Sequence, residues 1–190
     1  TVSGVALLSA GAVSAQTAPN SQAVPAAEPA GVDDIVVTAQ RRSENIRDVP
    51  FAVTALSPQT LQEVSAGGAD ILSLSGRVPS LQVESSNGRY APRFYIRGYG
   101  NTDFRLNASQ PVSVIVDDVI QENPILKGFP IFDTAAVEVV AGPQGTLFGR
   151  NTTGGAIVVT SHTPTDEFSG MVKASYGNRN AARFQARIDT

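Results

Sequence analysis

The stretch "VEVVAGPQGTLFGRNTTGGAIVVTS", Val137 to Ser161, sets two β-branched runs, Val137–Gly142 and Gly155–Ser161, on either side of a glycine-rich segment. Valine, isoleucine and threonine suit a pleated, half-buried strand, and Gly, Pro and Asn between them are turn residues. The spacing of Gly149 and Gly154 invites a phosphate-loop reading. However, Gly155-Ala156 stands where Lys and then Ser or Thr are required, so the loop lacks its main phosphate charge. The segment is therefore read as strand, turn, strand.

The same alternation of short β-rich runs and turns extends upstream. "FAVTAL" (Phe51–Leu56), "SLQVES" (Ser80–Ser85), "RFYIRG" (Arg93–Gly98) and "VSVIVDD" (Val112–Asp118) are strand candidates. Ser57-Pro58 reads as a helix N-cap and first position, with Leu61 and Val64 on its apolar face and Gly67-Gly68 ending it. Asp70 is expected to cap a second short helix bearing Ile71, Leu72 and Leu74, and Asp133 a single helical turn before Val137. "RRSENIRDVP" reads as polar and turn-like. The fold class is α+β: a small mixed sheet with short helices over residues 41–164.

Residues 165–190 change register. In "GMVKASY" Gly170, Val172, Ala174 and Tyr176 alternate with Met171, Lys173 and Ser175. After the turn "GNRN", Ala182, Phe184, Ala186 and Ile188 alternate with Arg183, Gln185, Arg187 and Asp189. This is the dyad pattern of a membrane-barrel strand, and a soluble half-buried hairpin predicts the same alternation.

Composition removes several classes of function. The formal net charge of -3 and the absence of a basic run give no electrostatic case for nucleic acid. With no cysteine there is no disulfide scaffold, Cys-based zinc site or thiol catalysis. The single histidine, His162, excludes multi-His metal sites and reads as a surface residue at a strand end. "RGYGN" has no third glycine at Asp103, so the dinucleotide fingerprint fails. Asp117 and Asp118 are read as a turn rather than an acid/base pair. No enzyme, cofactor or metal is expected.

The N-terminus indicates export. "VSGVALLSAGAV" is a short apolar run followed by Val13-Ser14-Ala15, the small-residue pattern of a leader cleavage site after Ala15. No initiator Met or basic segment precedes it, so the leader (residues 1–15) is expected to lack its start. Residues 16–32, rich in Ala, Pro, Gln and Ser, read as a disordered tether. The tether ends on "DDIVVTAQ" (33–40), a strand-prone peptide that makes sense if another protein pairs with it.

Taken in order, "DDIVVTAQRR", "DVPFAVTALS", "RFYIRGYG", "VSVIVDDV" and the opening stretch resemble the N-terminal plug of TonB-dependent outer-membrane receptors of Gram-negative bacteria, over about residues 33–190. The resemblance implies a plug followed by the first antiparallel hairpin of a transmembrane β-barrel. It makes Asp34, Ile35, Val36, Val37, Thr38 and Ala39 the TonB box, paired with TonB by strand addition and energised through ExbB and ExbD. It implies import of a scarce nutrient, by default a ferric siderophore, with cobalamin, haem and plant-derived compounds open. It places a plug–barrel lock at Arg97 and Glu138, weakened because Ala141 stands where the family usually has Arg. It also puts Asp118 where Gly is common. Ligand contacts are expected in loops 85–92, 100–110 and 122–129, at Arg89, Tyr90, Arg105 and Lys127. A plugged barrel has about 22 strands of roughly ten residues, on the order of 220 residues in strands alone. The chain is therefore expected to be a receptor fragment, or a truncated product with no pore. The alternative is a plug-only periplasmic binding module without transport.

Overall fold

A computed structural model describes residues 35–189 except 39, 67–69, 87, 104 and 106. The expected leader, tether and Asp34 lie outside the described residues, as does Ala39.

Five strands form the central mixed sheet: β3 (Ala52–Leu56), β7 (Val112–Val116), β8 (Val119–Gln121), β9 (Thr134–Ala141) and β10 (Gly155–Ser161), in the order β3-β9-β10-β7-β8. β9 runs antiparallel to both neighbours, and β10 pairs parallel with β7, with Gly155 opposite Val112. A three-stranded antiparallel sheet, β4 (Leu81–Glu84), β5 (Arg93–Ile96) and β6 (Tyr99–Gly100), lies beside it. Two further pairs complete the strands: the two-residue β1 (Val36–Val37) with β2 (Glu44–Asn45), and the long hairpin of β11 (Ser169–Gly177) with β12 (Ala181–Asp189).

Alternation along the strands divides the central sheet into two faces. Val137 and Val139 of β9 pack with Leu56, Val114, Ile157 and Val159 in the main core. Onto it fold Leu61 and Val64 of helix α1 (Pro58–Ala66) and Ile71 and Leu74 of a 3-10 turn. The opposite face carries Ile115, Ala156 and Val158, packed with Phe148 of the short helix α2 (Gly145–Phe148). Glu138 and Val140 point to this second face because they alternate with the core valines. Gly155 makes the close packing at the start of β10 possible: its φ is 147°, and a Cβ there would run into the Val140 carbonyl.

The expected caps form. Ser57 Oγ accepts from the Thr60 N–H (3.2 Å), and Asp70 Oδ1 accepts from the Leu72 N–H (3.1 Å), although the second helix is 3-10 rather than α. Three local expectations are corrected. No helical turn follows Asp133, because Thr134 and Ala136 are drawn into β9 by pairing with Ser161 and Thr160. "RRSENIRDVP" contains a strand, since Glu44 and Asn45 pair with Val37 and Val36. The run Arg93–Gly98 stops as a strand at Ile96, where Arg97 and Gly98 take φ of 54° and 77° and turn the chain into β6.

Asp117 and Asp118 form the expected turn, linking β7 to β8 with φ of 47° and 65°. Positive φ at both central residues is the hairpin geometry that matches strand twist. Asp117 earns its place through its carboxylate, which accepts from the Ser161 N–H (2.8 Å) and hydroxyl (2.8 Å).

Candidate functional site

The candidate residues gather at the two ends of the central sheet. At one, where β7 and β10 begin, loops gather; at the other lie the Asp117–Asp118 turn and the segment around β1.

At the second end, Val37 is 2% exposed while Ile35 and Val36 are exposed. The Ile35 carbonyl accepts from the Ile46 N–H at 2.9 Å, extending the β1–β2 pairing by one residue. Thr38 then reaches the second face of the sheet, where its N–H (2.7 Å) and hydroxyl (3.1 Å) both donate to Glu138 Oε1. Glu138 is 2% exposed. Arg41 lies over the Phe148 ring, 5.5 Å from its centroid, and 3.5 Å from Asp118. Beside these residues a cleft of about 530 Å³ is lined by Thr38, Arg41, Arg42, Asp118, Thr160 and His162. His162 is exposed at the end of β10, as expected.

At the loop end, Tyr90, Arg89 and Arg105 are exposed, and both arginines already have carboxylate partners. Arg89 Nη2 lies 2.6 Å from Asp70 Oδ2, and Arg105 Nη2 lies 2.8 Å from Asp103 Oδ2. The hydrogen bonds from Arg105 hold the Asp103 carboxyl below its usual range. A polar cleft of about 330 Å³ opens among Asn101, Asp103, Ser109, Gln110, Arg150 and Asn151.

Lys127 differs from the expectation. It is 1% exposed, and Nζ donates inward to Gln110 Oε1 (2.6 Å) and the Val112 carbonyl (3.2 Å). Burial pushes its ammonium down to about 8, with Glu122 partly opposing. Lys127 is thus a strut between loops 122–129 and 100–110 rather than a solvated charge. The adjacent Gly128 packs so closely on the Arg89 and Tyr90 carbonyls that a Cβ there would sit 2.9 and 3.2 Å from them. The three loops are therefore mechanically linked.

Arg97 and Glu138 are not brought together. Arg97 is exposed in the β5–β6 turn, and no hydrogen bond or ion pair links it to Glu138 among the described residues. An ion pair that does join the C-terminal hairpin to the α+β body is Arg187 with Asp133, at 2.8 Å. The sequence pointed to Asp133 only as a helix cap and to Arg187 only as a member of the charged row of β12, not to their pairing. In β11 and β12 Lys173, Ser175, Gln185, Arg187 and Asp189 are half-buried, while Val172, Tyr176, Phe184 and Ile188 are exposed. The apolar residues face one another across the pair, Val172 opposite Ala186 and Ala174 opposite Phe184.

Among the described residues no group of acidic or histidine side chains could hold a metal ion.

Comparison with known proteins agrees with this geometry. Residues 45–156 match the TonB-dependent receptor plug domain. The vitamin B12 transporter of Vibrio vulnificus is 29% identical over 165 residues, covering 83% of this chain and 25% of the transporter. The ferrioxamine B receptor of Salmonella typhimurium is 26% identical over 186 residues, covering 93% of this chain and 25% of the receptor. The chain thus spans about a quarter of the length of these curated relatives. The crystal structure of the ferric yersiniabactin uptake receptor of Yersinia pestis superposes with a TM-score of 0.62 at 25% identity, over 70% of this chain and 20% of that one. The ferripyoverdine receptor of the Pseudomonas aeruginosa outer membrane gives 0.64 at 18% identity, over 81% of this chain and 20% of that one, a likeness of fold. The relatives are transport receptors, and the chain belongs to the family of TonB-dependent receptor plug domains.

Proposed function

We propose that this chain is the plug and first wall strands of a Gram-negative outer-membrane receptor that imports a nutrient actively. Residues 33–40 are the segment engaged by TonB from the periplasm, with energy delivered through ExbB and ExbD. Its work is transport gating, not catalysis. The observation that supports this most directly is β1: a β-branched strand, exposed at Ile35 and Val36, with one edge paired to β2 and the other open to a partner strand at Val36. The apolar outward row Val172, Tyr176, Phe184 and Ile188 is what a lipid-facing wall requires, and it argues against a plug-only periplasmic module.

The proposed cargo is a ferric siderophore, in keeping with the ferrioxamine B and ferric yersiniabactin receptors among the relatives. Arg89, Tyr90 and Arg105 stand exposed on the loops that would meet it. Arg97, exposed in its turn, is open to an acidic residue of the wall.

The test is Val36→Pro. In the antiparallel β1–β2 ladder the Val36 main chain faces away from β2, so proline there removes a donor from the open edge while sparing the pairing with β2. Binding of the soluble TonB domain and TonB-driven ferric siderophore uptake are both expected to be lost. Undiminished TonB binding by the proline variant would refute the reading.

A further inference from the structure

β1 has two edges, and both bear on how a partner strand could join it. The Ile35 carbonyl accepts from Ile46, and Val36 and Val37 stand opposite Asn45 and Glu44. In an antiparallel ladder alternate residues send their main-chain groups to the same side. Ile35 and Val37 therefore serve β2, whereas Val36 and Thr38 face the other edge. On that edge the Thr38 N–H is already taken: it donates to Glu138 Oε1 at 2.7 Å, and the Thr38 hydroxyl adds a second bond to the same oxygen. The acceptor is a carboxylate in the middle of β9, buried on the second face of the sheet, and hydrogen bonds to a charged acceptor are the stronger kind. Its other oxygen, Oε2, is buried without a hydrogen-bond partner among the described residues.

We propose that Glu138 is a latch on the TonB-engaging segment: its carboxylate occupies the Thr38 N–H that an added strand needs, so docking on the plug and pairing with the partner compete for one donor. The proposal rests on residues 33–40 being that segment. The unpartnered Oε2 sets the strength of the latch. Leaving one oxygen of a buried carboxylate unpaired destabilises the docked state, and opening lets water reach that oxygen. The docked segment is held, yet poised to leave. Glu138 is a positioning residue here; it touches no cargo.

The chain has no cysteine, so Val37→Cys introduces a single thiol that is buried while the segment is docked. Its rate of labelling by a maleimide reports opening, and binding of the soluble TonB domain to the full chain is measured in parallel. Glu138→Leu is expected to raise both the labelling rate and TonB affinity about tenfold or more. Glu138→Gln keeps an acceptor oxygen and should stay much nearer the parent. Thr38→Val, made outside the core, removes only the hydroxyl bond and should give a smaller rise in the same direction. Labelling unchanged in both Glu138→Leu and Thr38→Val overturns the latch. Faster labelling with TonB affinity equal to the parent's overturns the competition. Faster labelling with no TonB binding by any form, parent included, upholds the latch and refutes the TonB reading of the segment.

Discussion

Arg187 in β12 reaches Asp133, the residue just before β9, Nη1 to Oδ1 at 2.8 Å, while its Nε lies 3.1 Å from Asp189 on its own strand. The pair joins the hairpin to the plug with the cation on the hairpin and the acid on the plug. Both side chains are partly covered, at 25% and 30% exposure, which places the pair between a surface ion pair and a buried one.

A double-mutant cycle with Asp133→Asn and Arg187→Met is expected to show a coupling of about 1 kcal/mol in urea unfolding. The coupling should fall at high salt. Strictly additive single effects would mean that the contact contributes nothing to holding the hairpin.

The two aspartates of the β7–β8 turn should respond in opposite senses to glycine. Asp118→Gly relieves a left-handed conformation worth about 1 kcal/mol and loses only an exposed pair with Arg41 at 3.5 Å. A gain of about 0.5–1 kcal/mol is expected. Asp117→Gly relieves similar strain but forfeits two bonds to Ser161, leaving a net loss of about 1 kcal/mol. Urea midpoints of the two variants decide it.

Lys127 makes plug stability depend on pH. The group passes from 10.5 in the unfolded chain to about 8 in the fold, so between these values the unfolded state binds more protons. Stability therefore rises as pH increases from about 8 towards 10.5, by up to on the order of 3 kcal/mol. Lys127→Met removes this term. The difference in unfolding free energy between parent and variant, followed from pH 7 to about 10, should change in favour of the parent. A difference that stays flat over that range would show that the ammonium is not held at a cost.

Gly155→Ala should destabilise the plug by about 2–4 kcal/mol, because the added methyl meets the Val140 carbonyl and the Ile96 side chain at a φ of 147°. Thermal unfolding is the measurement, with Gly145→Ala, whose Cβ would meet nothing, as the neutral control.

The sheet strands were legible because Val112–Val116, Val137–Val140 and Ile157–Val159 are rich in β-branched residues, interrupted only at Ser113 and Glu138, with Pro111, Gly142 and Gly155 close by. The helix caps were legible for an equally local reason, the Ser57-Pro58 and Asp70 signals. β2 was not, because Glu44 and Asn45 have poor strand propensity and owe their conformation to β1. Lys127 misled for a related reason: composition marks lysine as a surface residue, and only the tertiary approach of Gln110 and the Val112 carbonyl supplies acceptors inside. Glu138 shows the opposite case. A lone acid inside "VEVV" flags an unusual role, but its partner, Thr38, lies 100 residues away and no local pattern points to it.

The position of β3 at the sheet edge bears on the order of assembly. β3 ends at Leu56 and joins β9, which begins only at Thr134, whereas β7–β8 and β9–β10 close short loops. Loop-closure entropy favours the short closures first. The β7-β8-β9-β10 unit can form its pairings without β3, so loop closure places the addition of β3 last. By microscopic reversibility, β3 at the sheet edge is also the strand expected to come away first, leaving the four-stranded remainder paired.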